Sequence, residues 1–274
     1  MVLYFQDHID QAPNSFFDIK GQGINICAMY ETAIKHIKSH SVDLVLTDLP
    51  YGVTNAKWDI PIDFAFMWDN LDRVCKKHTT MVFTGTEPFG SKLIQSNEKD
   101  FKYDIIWTHK NVTRVFSAES MPLRQHENVY VFYKDKNIYN PQMSLTGKSY
   151  KVTRHPEQFT GVFGAGNRKY KNFNNGERYP TTIIHFTEKA QGRYHNSQKP
   201  IKLFEYFIKT FTNEGDIVLD ITAGSGTTAV AAINTNRKFI IIEKEEKYAQ
   251  IAEMRIQEAL QATKTKNKNL DDLL

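Results

Sequence analysis

Asp216-Ile-Val-Leu-Asp220-Ile-Thr222-Ala223-Gly224-Ser225-Gly226-Thr227-Thr228, followed downstream by Phe239-Ile-Ile-Ile-Glu243, decides the fold. A short β-branched run enters a turn of small residues and passes into a stretch of helical spacing over 227–235. A second apolar run then closes on an acid, about 17 residues after the turn. This is the order of a nucleoside cradle. Glycines let the backbone approach the ligand and open the helix, and the terminal acid can accept hydrogen bonds from two ribose hydroxyls. A pyrophosphate fits less well. Ala229 stands where a third glycine or alanine could fall, but Thr227 and Thr228 crowd the helix entry.

Outward from this core, the runs at 43–47, 81–84, 103–107, 129–133, 216–220 and 239–243 are too short and too β-branched or aromatic for buried helices, and they read as strands. Helical spacing marks 62–77, 88–97, 200–211, 227–235 and 245–260. The alternation predicts an α/β fold with a mostly parallel, doubly wound sheet and ligands at the carboxyl ends of its strands. Residues 134–193 are rich in Asn, Gly, Lys, Arg, Tyr and Phe without a sustained period, and read as a loop-rich insertion. The expected organisation is a first half over 1–133, the insertion over 134–193, a second half over 194–262 and a polar tail, expected to be flexible, over 263–274.

The 274 residues are 41% hydrophobic and 24% charged, the balance of a soluble globular chain rather than a disordered or fibrous one. No run approaches the roughly 20 apolar residues of a membrane helix. Asp7 and Asp10 stand where a secretory signal would be basic and then apolar. Neither a membrane nor export is expected. Cys27 and Cys75 are too few for a disulfide framework or a four-thiolate site, which fits a reducing cytoplasm. His36 and His40 are the histidine pair at helical spacing, with no carboxylate or thiol suitably placed to join them, so no metal is expected.

Charge is unevenly spread. Between Trp107 and Lys199 there are 15 Lys and Arg against 6 Asp and Glu, a local +9 in a chain of net +4. A basic block of this size suits a polyanion, because each neutralised phosphate releases counterions. Within it Arg154, Arg168, Lys169, Lys171 and Arg178 interleave with Phe159, Tyr170, Phe173 and Tyr179. That pattern suits phosphate contacts combined with stacking or wedge residues.

A second motif, Thr47-Asp48-Leu49-Pro50-Tyr51-Gly52, leaves the strand at 43–47. A carboxylate, a carbonyl and a ring separated by a rigid Leu-Pro step would point into one pocket at the sheet's carboxyl edge. The exocyclic amine of a nucleobase is a poor nucleophile, because its lone pair is delocalised into the ring. If Asp48 and the Leu49 carbonyl accept its hydrogens, the nitrogen is drawn toward sp3 geometry and can attack, while Tyr51 stacks on the base. Lys57-Trp58-Asp59, soon after, reads as a flap over the target base or as a packed surface tryptophan.

Together these motifs resemble the amino-methylating DNA methyltransferases, which transfer a methyl group from S-adenosylmethionine to adenine N6 or cytosine N4. Asp48-Leu49-Pro50-Tyr51 resembles their Asp-Pro-Pro-Tyr motif, and 220–228 resembles their cofactor loop Asp-Pro-Phe-Ala-Gly-Ser-Gly-Thr-Thr. Asn196-Ser-Gln198-Lys199-Pro200 resembles the His-Pro-Thr-Gln-Lys-Pro that precedes it, and His126-Glu127 matches a further recurring feature. With the catalytic motif first and the cofactor loop last, the order is that of the beta class. The resemblance implies a circularly permuted Rossmann-like methyltransferase fold in which the basic insertion recognises the target. It implies that Asp48, Leu49, Pro50 and Tyr51 are catalytic. It also implies that Lys199, Pro200, Asp220, Thr222, Ala223, Gly224, Ser225, Gly226, Thr227 and Glu243 bind S-adenosylmethionine.

The implied substrate is duplex DNA with the base rotated out of the stack. Adenine is favoured because Asp is commoner than Ser at the first motif position in adenine enzymes. N4-cytosine methylation, a silent nucleic-acid-binding relative and a methyltransferase acting on RNA or protein are the alternatives. Dimers are common in this class, so a homodimer belongs among the implied partners. The chain departs from the family at Leu49, Ile221, Thr222 and Asn196, and the stretch 24–31 reads as lacking the acid many relatives carry there, with Cys27 and Met29 in the neighbourhood.

Overall fold

Buried β-branched and aliphatic residues dominate the strands that carry the sheet: all six residues of Val42–Thr47 and all four of Ile217–Asp220 are buried. Such runs have no polar face to give to water and must lie between two layers. The computed structural model describes residues 15–19, 21–52, 59–113, 115–145, 150–153, 171–174, 176–186, 194 and 198–271. In chain order its elements are β1 (Ser15–Ile19), β2 (Gly23–Cys27), α1 (Tyr30–Ala33), β3 (Val42–Thr47), α2 (Phe64–Val74), β4 (Cys75–Gly85) and α3 (Phe89–Ser96). There follow β5 (Phe101–Thr113), β6 (Arg124–Phe132), β7 (Ser144–Leu145), β8 (Tyr150–Thr153), β9 (Lys171–Asn174), β10 (Glu177–Arg178) and β11 (Ile183–His185). The chain ends with α4 (Ile201–Phe211), β12 (Ile217–Asp220), α5 (Thr227–Asn234), β13 (Lys238–Glu243) and α6 (Glu246–Asp271).

Residues 1–140 and 182–274 form one unit. Its nine-stranded sheet has the order β1-β2-β13-β12-β3-β4-β6-β5-β11. The pairs β2/β13, β13/β12, β12/β3, β3/β4 and β5/β11 are parallel. β1/β2, β4/β6 and β5/β6 are antiparallel. The sheet is therefore mostly parallel, as the sequence predicts. From β12 the chain crosses through α5 to β13 on one side, and from β3 through α2 to β4 on the other. The switch point thus falls between β12 and β3, where open α/β sheets form their ligand crevice.

The two faces separate by alternation. Leu44, Leu46, Val218, Phe239 and Ile241 pack with Leu203, Phe207, Ala229, Ala231, Ala252 and Ile256 from α4, α5 and α6. Val45, Leu219, Ile240 and Ile242 pack on the other face with Ala33, Met67, Leu71 and Leu93 from α1, α2 and α3. α2 starts where the Asp63 side chain accepts from the Ala65 and Phe66 amides at 2.9 and 3.3 Å. At the entry to α5, Gly226 has φ +77°, and a Cβ there would lie 2.7 Å from the Ala252 Cβ of α6. This glycine serves both the turn and the closeness of two helices.

Three features differ from the sequence reading. β1, β2 and β11 lie outside the strands read from it: β1 and β2 are five residues each around a turn at Gly21, with Asn25 interrupting the apolar run, and β11 is only three residues. β5 reaches Thr113, well past 107. α6 continues to Asp271, through most of the stretch expected to be a flexible tail, because 263–271 contains no Gly or Pro to stop it.

Residues 141–181 form a second unit, with β7 paired antiparallel to β10 and β8 to β9. These ladders of two and four residues are too short to leave a period in the sequence.

Candidate active site

β3, β12 and β13 run parallel, and the turns that leave their carboxyl ends wall a cavity of about 310 Å3. Asp48 follows β3 directly. Its Oδ1 accepts from the Tyr51 hydroxyl at 2.6 Å and from the Thr84 hydroxyl on β4. Its Oδ2 accepts from Lys199 Nζ at 2.7 Å, and the same ammonium lies 3.3 Å from Glu127 Oε2 on β6. Burial alone would lower the Lys199 pKa, but the Asp48 and Glu127 carboxylates outweigh it and hold the ammonium well above its ordinary range. Burial, and then the Asp48 charge, push the Tyr51 phenol well above its usual value, so its hydroxyl remains a donor. The Tyr51 ring lies against Phe89 at 4.9 Å between centroids, tilted by 40°.

Asp220, at the end of β12, is tied to the same corner. Thr47 donates to its Oδ1 at 2.7 Å, the Thr222 amide to that oxygen at 3.1 Å, and the Thr228 hydroxyl to Oδ2. Burial pushes this carboxyl up to about 6 despite those donors, with the Asp48 charge adding to the rise. The Thr222 hydroxyl lies 2.8 Å from Thr47 Oγ1 and donates to the Asp48 carbonyl at 3.0 Å. The residue that departs from the family's aromatic thus joins the two motifs directly.

Glu243, at the end of β13, accepts from the Gly224 amide at 2.7 Å on Oε2 and from the Glu245 amide at 2.9 Å on Oε1. Each oxygen keeps a lone pair for a further donor. Burial raises its pKa. Behind the loop, Ser225 donates to Gln198 Oε1 at 3.2 Å, and buried Arg255 donates to Ser225 Oγ at 2.9 Å while lying over the Tyr194 ring at 5.5 Å.

Two further groups reach the cavity from the segment after β2. Glu31 and Tyr30 belong to its wall, and Glu31 Oε2 and the Tyr30 hydroxyl are buried without a hydrogen-bond partner among the described residues. Buried polar atoms of this kind call for a ligand donor or acceptor. Glu31, at the end of the stretch 24–31 read as lacking the family's acid, thus belongs to this wall. Among the described residues, the wall holds five carboxylates, from Glu31, Asp48, Asp59, Asp220 and Glu243, against two ammonium groups, from Lys199 and Lys244. The excess of acid suits a cationic ligand, and the paired acceptors on Glu243 suit a ribose.

Of the residues predicted from sequence, Asp48, Leu49, Pro50, Tyr51, Lys199, Asp220, Thr222, Ala223, Gly224, Ser225, Thr227 and Glu243 share this one wall. Lys199 shares it with its ammonium turned to the two carboxylates. Pro200 is buried at the head of α4, and Gly226 faces α6; neither is in the wall. Arg154, Arg168 and Lys169 lie outside the described residues, as do Lys57 and Trp58 and the side chain of Lys171 in β9. Asp59 is buried and accepts from the Gly52 amide at 2.7 Å. Arg178, in β10, donates to the Glu177 carbonyl at 2.9 Å. Thr84 and Arg255 carry no motif signal, and Thr47 and Gln198 stand within motif stretches that do not mark their roles; the contacts of all four are to residues distant in sequence.

Known proteins resemble this chain in sequence and in fold. The chain is 28% identical over 257 residues to the type II methyltransferase M.HpaI of Haemophilus parainfluenzae, covering 84% of this chain and 73% of that one. It is 28% identical to the DNA adenine methyltransferase YhdJ of Escherichia coli, covering 81% and 79%. In fold it is similar to the crystal structure of the M1.HpyAVI-SAM complex, with a TM-score of 0.57 at 24% identity, covering 84% of this chain and 97% of that one. The PvuII DNA methyltransferase (cytosine-N4-specific) aligns with a TM-score of 0.60 at 17% identity, covering 85% and 86%. Residues 42–254, from the first residue of β3 to the middle of α6, match the N6_N4_Mtase family, described as DNA methylase, and the chain belongs to that family.

Proposed function

We propose that the chain transfers a methyl group from S-adenosylmethionine to the N6 amino group of an adenine rotated out of duplex DNA. One observation carries this reading: Thr222, in the loop that would hold the cofactor, is hydrogen-bonded to the backbone of Asp48, the group that would hold the amine. A donor and an acceptor bound at the two motifs would meet within one cavity. S-adenosylmethionine, when bound, supplies an electrophilic methyl on a sulfonium.

The chain's own residues do the rest. Glu243 would hold the ribose hydroxyls, Glu31 the amino edge of the cofactor's base, and the loop 220–227 the remainder. Asp48 and the Leu49 carbonyl would accept the two amino hydrogens of the target and expose its lone pair. Pro50 fixes the step between them, and Tyr51 would stack on the base, a contact worth roughly 1 to 3 kcal/mol per base. Positioning, and hydrogen bonds that strengthen as charge develops on nitrogen, account for the rate.

The insertion 134–193, between the two halves of the methyltransferase domain (1–133 and 194–262), would recognise the target. Arg154, Arg168, Lys169, Lys171 and Arg178 would contact phosphates. A homodimer and a cytoplasmic location belong to the same proposal. No described helix is long and apolar enough to cross a membrane. The adenine target is supported by Asp at position 48 and by the adenine methyltransferase among the relatives.

The test is nucleoside mass spectrometry of unmethylated duplex DNA incubated with the purified protein and S-adenosylmethionine. N6-methyldeoxyadenosine is the expected product. N4-methyldeoxycytidine would keep the mechanism and change the target. Cofactor binding without any methylated nucleoside would overturn the activity on DNA.

A further inference from the structure

Asp48 has little acceptor capacity to spare. Its Oδ1 already takes two hydroxyl donors, from Tyr51 and Thr84, which fills that oxygen's two lone-pair directions. Its Oδ2 takes the Lys199 ammonium at 2.7 Å. An amine arriving at Asp48 must therefore share Oδ2 with a cation. Positive charge builds on the amine nitrogen as it attacks, so an ammonium held on the same oxygen opposes the reaction it borders. Before the base arrives, however, the ammonium serves a purpose: it satisfies a largely buried carboxylate that would otherwise be costly to leave unpaired.

We propose that Glu127 is a positioning residue for methyl transfer, the second seat to which Lys199 moves from Asp48 when the target amine takes Asp48 Oδ2. This rests on the amine-methylating activity proposed above. Glu127 Oε2 is already 3.3 Å from Lys199 Nζ, and a shift of about 0.5 Å would bring the pair to a direct charge-assisted bond. The Lys199 side chain is 8% exposed, and those of Asp48 and Glu127 are 19% and 21%, so water competes little for the ammonium. Pro200 anchors the backbone next to Lys199 at the head of α4, so only the side chain has to move. Glu127 lies on β6, across from Trp107 on β5, and the edge that holds it is independent of the cofactor loop. Two carboxylates around one ammonium leave a net negative charge, which the developing charge on the amine would neutralise.

The experiment measures single-turnover methyl transfer, with enzyme in excess, S-adenosylmethionine saturating and long unmethylated duplex DNA as substrate. Glu127→Gln preserves the shape and removes the charge. It is expected to slow transfer at least about tenfold and to leave the S-adenosylmethionine dissociation constant within about twofold. In a Lys199→Met background, where there is no ammonium to move, the same replacement should change the rate by less than about twofold. Glu127→Asp, which keeps the charge, should recover most of the wild-type rate. An unchanged rate in Glu127→Gln, an equal slowing in the Lys199→Met background, or Glu127→Asp as slow as Glu127→Gln would each overturn the second seat. No transfer by the wild-type protein would instead overturn the activity beneath it.

Discussion

Single carboxyl groups carry the predictions at the residue scale. Glu31 is the plainest, because it belongs to the wall of the cavity that would hold the cofactor and its Oε2 is buried without a partner among the described residues. Glu31→Gln should weaken S-adenosylmethionine binding about fivefold to tenfold by calorimetry, the cost of losing one charged acceptor; unchanged affinity would remove Glu31 from the cofactor site. Asp220 makes a statement about pH. Its carboxyl is raised from 3.8 to about 6, so between those values the native chain holds a proton that the unfolded chain has lost. The resulting stability is complete below pH 3.8 and is lost as pH rises through about 6, in total about 3 kcal/mol. Urea unfolding of wild type and Asp220→Asn at pH 4.5 and 7 should show the wild-type advantage shrinking toward pH 7. An advantage that grows toward pH 7 would mean that the three donors on Asp220 hold its pKa down instead. Asp48, Asp220 and Glu243 are legible in the sequence because each follows an apolar run. Glu31 is hidden, because nothing in Met-Tyr-Glu-Thr marks which side chain turns to the cavity.

Elements were legible where their pattern was strong and obscure where it was short. β3, β12 and β13, the strands that place the three carboxylates, each hold a run of three aliphatic residues just ahead of the strand end, at 44–46, 217–219 and 240–242, and read directly. β1 and β2 are five residues each around a glycine turn, and β7 to β10 shorter still, so their pairing comes from neighbours rather than from periodicity. Gly226 reads in the sequence as a ligand-contacting glycine, yet it faces Ala252 of α6. Gly226→Ala is therefore expected to cost about 2 kcal/mol of stability, through a strained φ and a crowded helix contact. Chemical denaturation measures it. Undiminished stability would show that α5 and α6 can separate freely.

Over the whole molecule, two properties were legible in the sequence: a mostly parallel sheet with its motifs at the carboxyl ends of strands, and a basic segment set apart from an otherwise acidic chain. Motif order could place the first because each motif sits at a strand end. The readout of DNA sequence was illegible, since base contacts made by the proposed target-recognition insertion 134–193 would depend on how it folds against a duplex. The charge argument can still be tested. Replacing Arg168, Lys169 and Lys171 together by Ala should weaken duplex binding similarly on all sequences and lower the slope of affinity against salt by about 3, whereas an unchanged slope would exclude phosphate contacts there. The central claim is that the carboxylate of Asp48 acts on the amine while the loop after β12 holds the cofactor. The most direct measurement is the methyl-transfer rate of Asp48→Ala, taken beside its S-adenosylmethionine affinity. Transfer at least about a hundredfold slower with affinity within about threefold of wild type is the predicted result. Undiminished transfer, or loss of cofactor binding together with transfer, would contradict the account.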